Sequence, residues 1–112
     1  MPARRRRIAR VWRGRTSFAN AHAYQEHLRK KTLPSLQAIK GFEQALVLRR
    51  AEAEDVEFIV LTLWTSRDAI RRFAGPDDER SVVPPAAAEV LQEWDERARH
   101  FDVVLQVGAE SG

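Results

Sequence analysis

Three histidines are the candidates for proton transfer in this sequence, because the chain contains no cysteine. His100 stands in a strand-like segment beside Phe101, and imidazole titrates near neutral pH, so His100 is the candidate general base. The competing interpretation is a hydrogen-bonded structural histidine at a subunit interface, since His100 shares strand parity with Val104. His22 and His27 lie five residues apart on a predicted helix. That spacing does not place them side by side and does not favour a metal pair.

Four aromatic side chains could form the walls of a ligand pocket next to that base. Trp12 and Trp64 have the same parity on strands predicted to be neighbours, so they could stack against an aromatic molecule. Tyr24 and Phe73 could close the same cleft from the helices. Core packing explains each of these residues equally well, because large aromatics dominate core burial.

The composition excludes several classes of site. With no cysteine the chain cannot form a disulfide scaffold, a zinc finger, an iron–sulfur site or a thiol nucleophile. We find no phosphate loop and no nucleophile elbow, and we expect no cofactor and no metal. The 112 residues, 44% of them hydrophobic, predict one globular domain, with no apolar run long enough to span a membrane. Because the start also lacks the apolar stretch of a secretion signal, a cytoplasmic protein is expected.

The formal charge of +3 comes from one end of the chain. Arg4–Arg7 carry four positive charges, so the remainder is close to neutral. We predict a flexible basic arm at 1–7, one domain at 8–107 and a flexible tail at 108–112. The arm could contact phosphates, but it has no interleaved aromatics, so nucleic acid is not the favoured partner.

The elements that must position these residues follow from hydrophobic periodicity. Strands are predicted at 8–16, 42–51, 56–65 and 97–107, with the third in the middle of a sheet. Asn20 is predicted to cap the first helix and Pro34 to start a second short turn, with Gly41 ending the element. The order β-α-β-β-α-β predicts an α+β, ferredoxin-like fold: an antiparallel sheet with helices on one face and the first strand between the third and the fourth.

Two further helices are predicted in the second half. Ser66 should cap one that Gly75 ends. Pro84 and Pro85 should open the other, because a proline in the first turn loses no hydrogen bond. Its apolar face would hold Val90, Leu91 and Trp94.

The strands carry apolar residues on both faces, although helices can cover only one. In the second strand, Phe42, Leu46 and Leu48 should point one way and Ala45 and Val47 the other. Leaving the second face open would expose a large apolar patch, made of Val47, Ile59, Leu61, Leu63 and Val104. We therefore predict a two-fold homodimer in which the uncovered sheet faces pack together.

Several segments resemble the antibiotic biosynthesis monooxygenase family, over residues 8–105. They are RVWRGRT (10–16), LPSLQAIKGF (33–42), LVLRR (46–50), LTLWTSRDAIRRFAG (61–75), VVPP (82–85) and RHFDVV (99–104). The resemblance implies a dimeric α/β barrel. It also implies oxidation of polycyclic aromatic phenols with oxygen and without a bound metal or flavin.

A sister branch of that family degrades haem. It uses an asparagine on the first strand, a tryptophan on the helix after the third strand and a histidine about ten residues further on. Here Asn20 lies outside the strand, Phe73 takes the tryptophan position and about Val83 the histidine position. The resemblance therefore does not extend to haem degradation.

Two functions remain open from the sequence. In the first, a cofactor-independent monooxygenase oxidises an aromatic or polyketide-like phenol. His100 takes the phenolic proton, and Trp12, Tyr24, Trp64 and Phe73 form the walls. In the second, the same dimer binds a small apolar ligand without catalysis, or acts as an accessory subunit.

Overall fold

The computed structural model describes residues 7–109, so Arg4, Arg5 and Arg6 of the predicted basic arm lie outside it. Its strands are β1 (Arg7–Ser17), β2 (Phe42–Ala51), β3 (Asp55–Trp64), β4 (Glu93–Trp94) and β5 (Arg99–Val103). Its helices are α1 (Phe18–His27), a π-helical turn (Leu28–Thr32, "the π turn"), α2 (Leu33–Gln37), α3 (Arg67–Ala74) and α4 (Pro85–Ala88). None of these helices combines the length and hydrophobicity needed to cross a membrane.

One antiparallel sheet carries the fold. β3 pairs with β2 on one side and with β1 on the other, from Ile8 opposite Trp64 to Ser17 opposite Asp55. On the side away from β3, β1 pairs with both β4 and β5. The predicted ferredoxin-like order, with β3 in the interior and β1 between β3 and the last strand, is confirmed.

Side-chain alternation divides the sheet into two faces. On the face that the helices cover, β3 buries Val56, Phe58, Thr62 and Trp64. On β1 the same face includes Gly14, where an added Cβ would lie 2.6 Å from the Trp12 ring. A side chain at this position would displace the indole, so the strand needs a glycine here. The other face, which we call the open face, holds Ala9, Val11, Leu46, Leu48, Ile59, Leu61, Leu63 and Phe101.

The predicted faces of β2 are partly wrong: Phe42 does not share a face with Leu46 and Leu48, and Val47 is not on the open face. The register shifts between Phe42 and Gln44. Such a bulge inserts one extra residue and reverses the side-chain alternation on one side of it. Phe42 therefore packs against Trp64 under the helices, whereas Leu46 and Leu48 lie on the open face. Val47, expected on the open face, packs against the helix-side core.

The start of the first helix differs from the prediction. Ser17, not Asn20, caps α1: the Ser17 hydroxyl accepts a hydrogen bond from the Asn20 amide at 3.2 Å. Pro34 lies in the first turn of α2 as predicted, but the chain remains helical before it, because the π turn connects α1 to α2. The wider π turn places the proline, which has no N–H to donate, in the first turn of the next helix.

The predicted caps of α3 are confirmed. The Ser66 hydroxyl accepts a hydrogen bond from the amide of Ala69 at 3.1 Å. The helix ends at Gly75, whose positive φ of 94° is one that glycine adopts without steric cost.

The last third departs most from the prediction. α4 is a single turn, so the expected helical face of Val90, Leu91 and Trp94 does not form. The Gln92 amide donates to the Arg15 carbonyl at 2.7 Å, and Trp94 pairs with Gly14 in β4, because the edge of β1 offers hydrogen bonds that a longer helix could not use. The predicted strand at 97–107 is shorter, and Val104 lies beyond its end, 77% exposed.

Candidate functional site

A cleft opens between the helix side of the sheet, the π turn and the segment 82–87. It has two adjoining chambers, an inner one of about 40 Å³ and an outer one of about 310 Å³. The residues that line both chambers are His27, Thr32, Phe73, Val82 and Pro84. An apolar concavity with a few polar groups is the usual form of a small-molecule site.

Trp12 forms part of the floor of the inner chamber. It faces the helices because β1 alternates, and its side chain is only 6% exposed. Its indole Nε1 donates to Ser81 Oγ at 2.8 Å, and the Ser81 hydroxyl donates in turn to the Asp95 carbonyl. These bonds hold the segment before 82–87 against the sheet and so fix the height of the cleft.

Tyr24 and His27 form the wall that α1 contributes. They are three positions apart in the sequence, so they share a helical face. The Tyr24 ring meets Phe58 edge-on at 5.0 Å, and its burial raises the pKa of the phenol. The His27 imidazole stacks on Tyr24, with ring centroids 6.3 Å apart. His27 Nε2 is buried and has no hydrogen-bond partner among the described residues.

Arg10 places a positive charge in the inner chamber. The residue is 5% exposed, and its Nη2 donates to the Arg80 carbonyl at 2.6 Å. Its guanidinium carbon lies 5.4 Å from the centre of the Phe73 ring, within the range of a cation–π contact. Burial lowers the pKa of Arg10 to about 10, although Asp78 acts in the opposite direction.

The π turn shapes the remaining wall. Leu28 and Thr32 line the inner chamber, and Lys31 lines the outer one. π-Helical turns are rare and are frequent at functional sites, because the wider turn redirects side chains that an α-helix would aim elsewhere.

Three of the predicted pocket residues come together. Trp12, Tyr24 and Phe73 all line the inner chamber. Trp64 shares their side of the sheet but does not line either chamber. It is fully buried in a separate part of the core with Phe42, and its indole Nε1 donates to Thr62 Oγ1 at 2.8 Å.

His100, the predicted general base, lies outside the lining of both chambers. It is opposite Arg10 on β5, and its Nδ1 lies 2.9 Å from Nη2 of Arg67. A guanidinium only donates, so Nδ1 accepts this bond and the ring proton resides on Nε2. Burial, then the charges of Arg67 and Arg10, lower the pKa of His100, with Asp78 opposing. The one nitrogen that could accept a substrate proton is thus already engaged.

Sequence reasoning missed His27 and Arg10 as site residues. The signals were present: His27 follows Tyr24 by three positions, and Arg10 precedes Trp12 by two on the same strand face. Within residues 7–109 no three His, Asp or Glu side chains gather into a group that could hold a metal ion. The cleft therefore combines aromatic walls, a histidine with an unpartnered nitrogen and a buried cation.

Solved structures share this fold. A "Putative antibiotic biosynthesis monooxygenase" from Nitrosomonas europaea is 10% identical with a TM-score of 0.67, covering 96% of this chain and 100% of its own. SnoaB, a cofactor-independent oxygenase from Streptomyces nogalater, is 21% identical with a TM-score of 0.56, covering 91% and 95%. A haem-degrading protein from Mycobacterium tuberculosis is 20% identical with a TM-score of 0.61, covering 95% and 100%.

No protein-family model and no curated protein sequence matches the chain. At such identities the structural likeness shows the fold. The ferredoxin-like α+β fold of the protomer is thereby confirmed, and proteins named as antibiotic biosynthesis monooxygenases share it.

Proposed function

We propose that this protein is a cofactor-independent oxygenase of the antibiotic biosynthesis monooxygenase family and oxidises an aromatic phenol or enol in the cleft. The observation that carries the proposal is His27: its side chain lines both chambers, and its Nε2 is buried with no partner among the described residues. The structural likeness to a cofactor-independent oxygenase supports the same chemistry.

The reaction begins with a proton transfer. His27 Nε2 accepts the hydroxyl proton of the phenol or enol and leaves an electron-rich anion. That anion gives one electron to O₂, and the resulting radical pair combines at the ring carbon that bears a single hydrogen. The proton held by His27 then completes a hydroperoxide. Loss of water from the hydroperoxide leaves a carbonyl, so a CH₂ group and O₂ become C=O and H₂O.

The remaining residues orient the substrate and exclude water. Trp12 lines the inner chamber, and Phe73 lines both chambers. Tyr24 keeps its proton because burial raises the pKa of its phenol, so it can donate a hydrogen bond without competing as a base. Under this proposal His100 does not transfer the substrate proton. It lies opposite Arg10 on the neighbouring strand as a neutral side chain.

The test uses an anthrone in air-saturated buffer, with quinone absorbance and oxygen uptake followed together. His27→Gln should lower kcat by about a hundredfold or more, the usual worth of a general base. His22→Gln is the matched control, because His22 is exposed on the same helix. Loss of activity in His100→Gln but not in His27→Gln would return the role of base to His100.

The alternative is a non-catalytic binding module. It predicts that the anthrone binds, that no oxygen is consumed above the buffer rate, and that His27→Gln changes neither result. Binding without turnover would therefore replace the oxygenase proposal.

We also propose that two copies pack through their open faces. Leu46, Leu48 and Phe101 are 42%, 45% and 44% exposed there. Leu46 lies opposite Leu61 on β3, and Leu48 lies opposite Ile59. At one end of the open face, Arg15 and Asp55 are already paired within the chain at 3.2 Å. An exposed apolar patch on a sheet face suits a self-complementary interface between two-fold related copies.

A further inference from the structure

The charged side chains that line the cleft are all positive. Arg10 lies in the inner chamber and Lys31 lines the outer one, whereas no aspartate or glutamate lines either. Apart from these cations, the walls are aromatic, aliphatic or neutral polar. The cleft thus presents a positive charge at each end of an apolar space.

Arg10 lacks the partner that a buried arginine normally has. Its Nε is buried with no hydrogen-bond partner, and it forms no ion pair with a carboxylate of the described residues. The nearby Asp78 is engaged by Arg67 at 3.1 Å and by Arg71 at 3.4 Å. An unpaired buried charge is costly, and an anion supplied from outside would remove that cost.

Lys31, at the mouth of the cleft, is a second cation without a carboxylate partner among the described residues. Glu26, the acid nearest in sequence, binds Arg29 and Lys30 on the outer side of the helix. Lys31 forms no ion pair within the described part of the chain and lines the outer chamber beside Ser35. An anionic ligand would therefore meet one exposed cation at the entrance and one buried cation at the floor, an arrangement that steers charge inward.

We propose that the ligand of this cleft is an aromatic anion. Its apolar body occupies the outer chamber, and a conjugated oxyanion, either a carboxylate or an ionised phenol, binds the Arg10 guanidinium in the inner chamber. The inference rests on the proposal that this cleft is the ligand site, but it does not require turnover. The sizes agree, because the inner chamber accommodates a single polar group and the outer chamber a ring system.

The experiment compares anthraquinone-2-carboxylate with its neutral carboxamide. Binding is followed by quenching of tryptophan fluorescence and by calorimetry, because Trp12 lines the site. The wild type should bind the carboxylate about tenfold more tightly or better, as expected for a charge-assisted contact in a water-poor site. Arg10→Gln should remove this preference by weakening the carboxylate alone, and Arg10→Lys should keep part of it. Lys40→Gln, at an exposed position outside the strands and the cleft, should change nothing.

A second arm tests the phenolate directly. The visible absorbance of 2-hydroxyanthraquinone reports its ionisation, and its apparent pKa should fall on binding to the wild type but not to Arg10→Gln. A carboxylate preference without this fall identifies a carboxylate ligand, and both together identify a general oxyanion site. Lys31→Gln should weaken carboxylate binding by about twofold to threefold, an effect lost at high salt.

Failure of the anion site and failure of the oxygenase activity give different results. Equal affinity for carboxylate and carboxamide, an unchanged preference in Arg10→Gln, or no binding of either compound would overturn the inference. Should Arg10→Gln fail to fold, Arg10→Lys and the wild-type comparison of the two compounds carry the test. A carboxylate preference without oxygen uptake on any anthrone would refute the oxygenase and leave the anion site standing.

Discussion

Replacing Arg10 with methionine should stabilise the protein. Burial lowers the pKa of Arg10 to about 10, more than two pH units below the usual arginine value. At about 1.4 kcal/mol per pH unit, the folded state holds this charge at a cost of roughly 3 kcal/mol. At neutral pH both the folded and the unfolded arginine are protonated, so the whole cost is present. It is relieved only as the pH rises above about 10, where the folded state loses the proton first.

Methionine keeps the aliphatic packing and loses two favourable contacts. These are the hydrogen bond to the Arg80 carbonyl and the cation–π contact with Phe73, together worth about 2 kcal/mol. The expected net effect is a gain of about 1 kcal/mol in the free energy of unfolding. This is the stability that the protein gives up to keep a cation in the cleft.

Urea unfolding at neutral pH, at one fixed protein concentration, measures this difference. The midpoint should rise with an unchanged m-value. Lys40→Met, the control substitution at an exposed position outside the strands, should stay within about 0.5 kcal/mol of the wild type. A loss of 1 kcal/mol or more in Arg10→Met would show that Arg10 is a net structural contributor, and the argument for an unpaired charge would then fail.

Three further outcomes follow from the structure. Leu61→Glu should give a monomer in sedimentation, because it places a charge at the centre of the open face. Val107→Glu is the control and should leave the assembly unchanged, because Val107 is 95% exposed outside the sheet. A dimer in both variants would contradict the proposed interface. Ser17→Ala should cost about 1 kcal/mol in thermal or urea unfolding by removing the α1 cap, and Asn20→Ala should cost much less; the reverse order would favour the cap predicted from sequence. The pKa of His100 is lower in the folded state, so the unfolded chain binds more protons and stability should fall as the pH drops below about 6.5. His100→Gln should flatten this dependence between about pH 7.5 and about pH 5, and parallel curves for the two proteins would count against it.

The fold was predictable because strand alternation and capping residues act locally. β3 is apolar and β-branched enough to require the sheet interior, and Ser66 precedes α3 as a cap should. The prediction failed where a single residue changes the register. The bulge after Phe42 reverses part of β2, and the pairing of Trp94 with Gly14 replaces a helix with a strand. Neither is encoded in a periodic pattern.

The candidate site was predictable only in part, for a related reason. Trp12, Tyr24 and Phe73 share the cleft because strand parity and helical spacing place them there. His27 lines the cleft and His100 does not, and the Nδ1 atom of His100 is engaged by Arg67, which is far from it in sequence. A hydrogen bond between distant residues leaves no local sequence signal.

The π turn belongs both to the wall of the cleft and to the core, because Leu28 lines the inner chamber and is 4% exposed. A π-helical turn arises when one residue is inserted into an α-helix and the surplus is absorbed within that turn, so the helix on either side keeps its orientation. Deleting one residue between Leu28 and Thr32 would place Pro34 inside a continuous α-helix, where it has no N–H to donate and clashes with the preceding turn. The length of this short stretch is therefore constrained by folding as well as by the shape of the cleft.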